Sequence, residues 1–474
     1  MILKRFYDDN LAQASYLVGC SATGEALVID PNRDSAEYLG AAAAEGMRIT
    51  AVTETHIHAD FESGSRELAR RAGARLYLSA EGGADWQYAF AESDGATLVH
   101  DGDTIRVGNV RFDVMHTPGH TPEHISFLMT DEPASPEPLG AFTGDFIFVG
   151  DVGRPDLLER AANVGGTMEP GARDLYRSLQ RFRRLPPHLL IWPAHGAGSA
   201  CGKSLGGVPV SSLGYELLAN WAFQVPDEDV FVKAVLAGQP EPPAYFAQMK
   251  HVNKTGPAML DGFKVPAQLG DDQVTGLLEQ DQVVVDIRPA HAYAAGHIPG
   301  TLSIPLNKSF TNWAGWLLPY DAPIHLLADD ERQARSAVRD LAMIGLDDVA
   351  GWFSRTALNA YTQHGGTLGV LPQVRATDLD RLMIEEDALL IDVRGTSEWL
   401  EGHIPGATHI PLGYLAGRIQ ELPDGRMIVV QCRSGARSAI GASLLARMGY
   451  RNVVNLAGGI RDYERRGMPV SMEP

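Results

Sequence analysis

Histidine and aspartate recur in four short clusters in the first half of the chain. Thr55-His56-Ile57-His58-Ala59-Asp60 comes first, followed by His116-Thr117-Pro118-Gly119-His120, Thr143-Gly144-Asp145 and Pro193-Ala194-His195-Gly196. Neutral imidazoles gathered with a carboxylate suit a divalent transition metal. A single His-x-His pair is common on a strand face, and a lone Asp is often a turn residue. Four such groups in one half of a chain favour a shared metal. A second chemistry stands near the end, at Cys432-Arg433-Ser434-Gly435-Ala436-Arg437. An apolar run (427–431) leads into this segment and a helical stretch (439–448) leaves it. That order sets the sulfur under a turn of backbone N–H groups and the positive end of a helix. Such a setting stabilises a thiolate or a persulfide anion, and Arg433 and Arg437 add positive charge for an anionic sulfur donor.

The elements that must position these groups follow from the apolar pattern. Strand-like runs at 25–29, 49–52 and 74–78, with a helix at 63–73 between two of them, read as α/β structure. The metal-type clusters each follow such a run, so strand ends can gather them on one edge. A helical region at 215–224 precedes Pro240-Glu241-Pro242-Pro243, which interrupts any regular element. The first domain is therefore expected over 1–260. The second half contains a repeat. Asp286 to Gly300 matches Asp392 to Gly406, both ending Gly-His-Ile-Pro-Gly, and Ala334-Arg335-Ser336-Ala337 matches Ala436-Arg437-Ser438-Ala439. Two copies of one small domain are expected, over 268–367 and 373–474. Each copy alternates strands (283–287 and 324–327; 389–393 and 427–431) with a helix (335–344; 438–448), which argues for a parallel sheet. Asp392 and His403 are expected to be scaffold residues. In the middle copy Asp330 stands where the last copy has Cys432. A carboxylate cannot accept sulfane sulfur, so 268–367 reads as an inactive copy used for packing or docking.

Composition narrows the function classes. At roughly 150 residues per domain, 474 residues make about three domains. The formal charge is −19, which argues against nucleic acid, because phosphate binding needs clustered Lys and Arg. No apolar run reaches the roughly 18 residues of a membrane helix, and residues 1–6 lack the apolar core of a secretory leader, so no membrane and a cytoplasmic setting are expected. Cys20, Cys201 and Cys432 lie too far apart in sequence for a Cys-x-x-Cys site. Chemistry by single sulfurs in a reducing compartment is expected. Cys20 reads as core. Cys201, six residues beyond His195 on the Gly-rich segment 198–204, reads as a residue of the active-site rim, with a substrate contact or sulfur relay as its role. Arg154 either positions an anionic thiol carrier or fixes its own loop. Homo-oligomerisation stays open.

These motifs carry two resemblances. Thr-His-x-His-x-Asp, Pro-Gly-His-Thr-Pro, Thr-Gly-Asp and Pro-Ala-His-Gly resemble the metallo-β-lactamase superfamily over about residues 1–255, which implies an αββα sandwich with metal between its sheets. The dinuclear hydrolases of that superfamily carry His directly after the motif Asp. Phe61 stands there in this chain, which favours one metal. Within the superfamily the chain is similar to persulfide dioxygenases. That likeness implies one Fe(II) per chain held by His56, His120 and Asp145, with His58, Asp60 and His195 around those ligands. Cys-Arg-Ser-Gly-x-Arg, with Asp-Val-Arg, Gly-His-Ile-Pro-Gly and Leu456-Ala457-Gly458-Gly459, resembles the rhodanese domain, which carries sulfane sulfur as a cysteine persulfide. The six-residue loop fits sulfur, whereas the related phosphatases have a loop one residue longer. The fold class implied is α/β, a metallo-β-lactamase sandwich followed by two rhodanese-like parallel-sheet domains. The implied chemistry is oxidation of a low-molecular-weight persulfide, glutathione persulfide foremost, by O2 to thiol and sulfite, joined to sulfur transfer among thiosulfate, sulfite and the thiol through Cys432. The rivals are a dinuclear zinc thioester hydrolase of the glyoxalase II type, against which Phe61 counts, and a sulfur carrier with a vestigial metal site, against which the full set of metal-type residues counts.

Overall fold

The computed structural model describes residues 1–162, 165–203 and 205–472. Ser204, at the end of the Gly-rich segment, and the last two residues of the final domain lie outside the described residues. The chain divides into two compact units, one of residues 1–263 with 342–345 and the other of 264–341 with 346–474. Both copies of the repeat belong to the second unit, apart from residues 342–345 of the middle copy.

The first unit holds two six-stranded sheets. One runs in chain order, β1 (Ile2–Asp8), β2 (Gln13–Cys20), β3 (Glu25–Ile29), β4 (Arg48–Thr53), β5 (Arg75–Ser79) and β6 (Thr97–Val99). The first three strands are antiparallel and β3 to β6 are parallel. The other comprises β7 (Thr104–Val107), β8 (Val110–His116), β9 (Ile125–Asp131), β10 (Gly140–Gly144), β11 (Leu190–Pro193) and β12 (Ser211–Ser212), with only β10 and β11 parallel. Alternation along β2 shows the layering. Ala14, Tyr16, Val18 and Cys20 point into a core shared with Phe112, Phe127, Phe142 and Trp192 of the second sheet, which makes Cys20 a core residue. Leu17 turns to the opposite face, against Tyr38 and Leu68 of the helices Ser35–Ala44 and Ser65–Ala72. Successive strand side chains face opposite ways, so a strand buried on both faces needs apolar residues throughout. The outer face of the second sheet is covered by the helix Met168–Phe182 through Leu175, Leu179 and Phe182. Four layers result, helix–sheet–sheet–helix. The single helix expected over 215–224 is two, Leu213–Ala219 and Trp221–Gln224, because Asn220 turns extended and caps the second through the N–H of Ala222.

The second unit holds two parallel sheets. The middle copy orders β14 (Leu302–Ser303), β13 (Val283–Asp286), β15 (Ile324–Ala328) and β16 (Val349–Ser354). The last copy orders β17 (Gln373–Val374), β21 (Val453–Leu456), β20 (Ile428–Gln431), β18 (Leu389–Asp392) and β19 (Thr408–His409). The shared Asp-x-Arg motif forms the same clamp in both. Asp286 and Asp392 end their strands buried, and each accepts Nε and Nη2 of the arginine two residues on, Arg288 or Arg394. That arginine then donates to the carbonyl of Gly296 or Gly402 in the Gly-His-Ile-Pro-Gly turn. His403 stacks on Trp399. No helix among the described residues is long and apolar enough to cross a membrane.

Candidate functional site

The loops after β4, β8, β10 and β11 bring the four histidine and aspartate clusters to one point between the sheets. His56 Nε2 lies 4.0 Å from Asp145 Oδ2, and His120 Nε2 lies 3.6 Å from the same oxygen. His195 Nε2 lies 3.3 Å from the other oxygen, Oδ1, and 3.1 Å from Asp60 Oδ2. Asp145 thus stands between two donor groups. His56, His120 and Asp145 form one, and Asp60, His195 and Cys201 form the other, each with its ligand atoms within 4.8 Å of one another.

Neighbours fix which nitrogen each ring presents. Thr55 gives its hydroxyl proton to Asp30 Oδ2, so its oxygen accepts Nδ1–H of His56 at 3.0 Å. His120 Nδ1 donates to the carbonyl of Arg154, and His195 Nδ1 to that of Ala12. His56 and His120 therefore present the Nε2 lone pair, the arrangement in which an outer partner orients a metal-binding imidazole. Burial pulls His195 down, but the negative groups around it, Asp145 first, outweigh that pull and hold this ring well above the usual imidazole range. Burial, with the neighbouring imidazoles, holds His56 well below the usual imidazole range. Burial also lowers His120 against the pull of Asp145. Both rings are neutral and free to donate electron pairs. Both oxygens of Asp145, Oδ2 of Asp60 and Nε2 of His195 are buried without an aligned hydrogen-bond partner. Buried polar atoms are normally satisfied, and this convergence of orphaned carboxylate oxygens fits a cation.

His58 is turned away from Asp145. Its Nε2 bonds Asp30 Oδ1 at 3.1 Å. Burial pulls this ring down, but Asp30, Glu54 and Asp60 outweigh it and push it up to about 9. Phe61 packs on the His58 ring, with centroids 4.5 Å apart. Arg154 is fully buried; it pairs with Asp156 and donates to the carbonyls of Ala200 and Pro240. Of its two expected roles, the loop clamp is the one these contacts support. One expectation needs correction. Cys201 does not sit on a rim. It is 2% exposed and lies beside Asp60 and His195, where burial and the carboxylates of Asp60 and Asp145 push its thiol up to about 12. Its sulfur occupies the donor group from which Phe61 is missing.

Sequence reading missed two residues. Asp30 follows β3 and accepts the N–H and hydroxyl of Thr55 as well as His58. His124, at the start of β9, accepts the N–H of Asp145 at Nε2. Asp30 follows a strand, the signal that found the others, whereas His124 precedes one and carries no such mark.

The cysteine loop folds as the strand–loop–helix order requires. β20 delivers Cys432, and the helix Ala436–Arg447 starts behind Gly435, whose φ of 96° is left-handed. Cys432 Sγ accepts the N–H of Gly435 at 3.1 Å and the hydroxyl of Ser438 at 3.3 Å. Arg433, Ser434 and Ala436 are exposed. Arg437 is bound through both Nη atoms by Glu398, at 2.5 and 2.7 Å, so its charge is already compensated. In the middle copy Asp330 accepts the N–H of Gln333, and the helix begins at Glu331.

Comparison with known proteins matches these two architectures. The Metallo-beta-lactamase superfamily profile matches residues 8–195, and the Rhodanese-like domain profile matches 271–352 and 375–466. A crystal structure of a metallo-beta-lactamase from Staphylococcus aureus subsp. aureus COL is 44% identical, covers 75% of this chain and 99% of its own, and superposes with a TM-score of 0.68. A sulfurtransferase of Allochromatium vinosum is 42% identical over 19% of this chain and 84% of its own length. The mitochondrial persulfide dioxygenase ETHE1 of Bos taurus is 29% identical over 41% of this chain and 68% of its own. A hydroxyacylglutathione hydrolase of Polaromonas sp. is 33% identical over 41% of this chain and 66% of its own. The chain belongs to the metallo-β-lactamase superfamily and carries two rhodanese-like domains behind its αββα domain.

Proposed function

We propose that the first domain is an iron-dependent persulfide dioxygenase and that the last is a sulfurtransferase acting through Cys432. The observation that carries the first part is the set His56, His120 and Asp145, two neutral imidazoles and one carboxylate, with His58 held away by Asp30. Two histidines and one carboxylate on one face suit Fe(II) and leave coordination positions open. Iron held by these three residues would supply the redox chemistry between O2 and a terminal sulfur. The chain's own residues hold the geometry. Thr55, Arg154 and Ala12 fix the rings, and His124 fixes the backbone at Asp145. The overall change is RSSH + O2 + H2O giving RSH, sulfite and two protons, with glutathione as the carrier R. In the last domain the N–H of Gly435 and the hydroxyl of Ser438 stabilise an anionic sulfur on Cys432, through which sulfur passes among thiosulfate, sulfite and the thiol.

A two-metal zinc hydrolase is the second reading. The group Asp60, His195 and Cys201 favours it, since Cys201 supplies a donor where Phe61 cannot, and so does the likeness to hydroxyacylglutathione hydrolases. Purified full-length protein separates the two. About one iron per chain with oxygen uptake on glutathione persulfide is the expected result. Two zinc ions with thioester cleavage and no oxygen uptake would overturn it. Cys432→Ser should abolish sulfur transfer while most oxygen uptake remains.

A further inference from the structure

Three more metal-type side chains stand at strand ends of the first unit, outside the central site. Glu81 follows β5, His100 follows β6 and His116 ends β8. Glu81 lies between the two rings. Its Oε1 is 3.6 Å from Nδ1 of His100, and its Oε2 is 3.8 Å from Nδ1 of His116. Both separations are too long for a hydrogen bond. Nε2 of His116 donates to the carbonyl of Pro122 at 2.8 Å, so in the neutral ring Nδ1 carries a lone pair. That lone pair faces a carboxylate oxygen with no proton between them. Asp101 holds both partners in place. Its N–H donates to Glu81 Oε1 at 2.9 Å, and its Oδ1 accepts the N–H of His116 at 2.8 Å. The side chains of Glu81 and His116 are half-buried, whereas that of His100 is 66% exposed and can turn toward them.

We infer that Glu81, His100 and His116 form a separate surface site for a divalent cation of the zinc class. Two imidazoles and one carboxylate are a zinc ligand set, with the fourth position left to water. Bonds of about 2.0–2.1 Å put tetrahedral ligand atoms roughly 3.3 Å apart. The 3.8 Å between His116 and Glu81 needs only a small closure to reach that spacing, and His100 swings in as the third donor. The carbonyl of Pro122 is the outer partner that orients the His116 ring. Nitrogen donors disfavour Mg2+ and Ca2+, which take oxygen. Glu81 and His100 belong to the first sheet and His116 to the second. A cation bound here therefore ties the two sheets together, four residues before His120 on the same loop. Its role is a clasp on that loop, away from the reacting atoms. The inference does not depend on which metal the central donors hold.

The test uses full-length protein with its central metal in place, titrated with Zn2+ in a calorimeter under nitrogen. About one further zinc ion per chain should bind, the central metal should stay, and the melting temperature should rise. His100→Ala should weaken this binding at least about tenfold, since even an outer partner typically contributes about 10- to 100-fold. It should also abolish the rise in melting temperature and leave the central metal content unchanged. An exposed ring is lost in that variant, so its fold is kept. Glu81→Gln should weaken zinc binding likewise, and Mg2+ should give neither heat nor stabilisation. Zinc that enters only by displacing the central metal would overturn the site. So would zinc that binds His100→Ala and Glu81→Gln as tightly as the natural chain.

Discussion

The backbone N–H of Asp145 donates to Nε2 of His124 at 3.1 Å. The bond occupies that ring's lone pair, because Nδ1 of His124 faces the Thr117 hydroxyl at 2.8 Å. His124 therefore supports the metal-type cluster without belonging to its donors. Outer partners of this kind typically change metal affinity by about 10- to 100-fold. His124→Ala should weaken iron retention by about that factor, measured by competition with a chelator, and His56→Ala should abolish it. Equal losses in the two variants would place His124 among the ligands.

His58 and Asp30 make a pH-dependent pair. The folded-state value of His58 is raised to about 9, above an unfolded value near 6.5. A raised histidine contributes stability that is full below the unfolded value and is lost as pH rises through the folded one. In metal-stripped protein, the gap in melting temperature between the natural chain and His58→Asn should be widest below about pH 6.5. It should close as pH passes about 9. A gap that is constant with pH would mean that the ring is neutral in its bond to Asp30.

Arg154 and Asp156 are both fully buried and joined at 2.8 Å. Removing one partner of a buried pair leaves an uncompensated charge, which costs about 3–5 kcal/mol. Arg154→Met should therefore lower stability to urea by about that amount. A normal urea midpoint with a raised KM for the persulfide would return Arg154 to the role of substrate contact.

Much of the site was legible because its donors share one local signature. His56, His120, Asp145 and His195 each follow an apolar strand, and strand ends of layered sheets meet at an edge. Asp30 carries the same mark after β3, but a single carboxylate before proline reads as a turn. Cys201 and Phe61 show what spacing cannot supply. They lie 140 positions apart in the chain, so no local pattern indicates that the sulfur of one fills out the donor group the other vacates. Arg154 was ambiguous because an arginine in a loop looks the same whether its partners are a ligand or the carbonyls of Ala200 and Pro240. The helix start at Ala436 was read two to three residues late, because serine and glycine disguise a helix N-terminus until the left-handed φ of Gly435 is seen.

Asp330 tests whether a cysteine alone makes the sulfur site. Counted from the shared Ala-Arg-Ser-Ala motif, Ala436 of the last copy corresponds to Ala334, yet the middle helix already begins at Glu331. Three residues that form the loop around Cys432 are helical in the middle copy. The N–H of Gln333 still reaches the side chain at position 330, as that of Gly435 reaches Cys432 Sγ, and Asp330 uses it as a helix cap. The second donor is lost, because Ser336, the counterpart of Ser438, bonds the carbonyl of Arg332 instead. Asp330→Cys placed in the Cys432→Ser background should therefore show no thiosulfate-dependent sulfur transfer and no persulfide on the new cysteine by mass spectrometry. It should also lower stability by about 1 kcal/mol through the lost cap. Recovered transfer in that double variant would show that the side chain, not the loop, determines which copy is active.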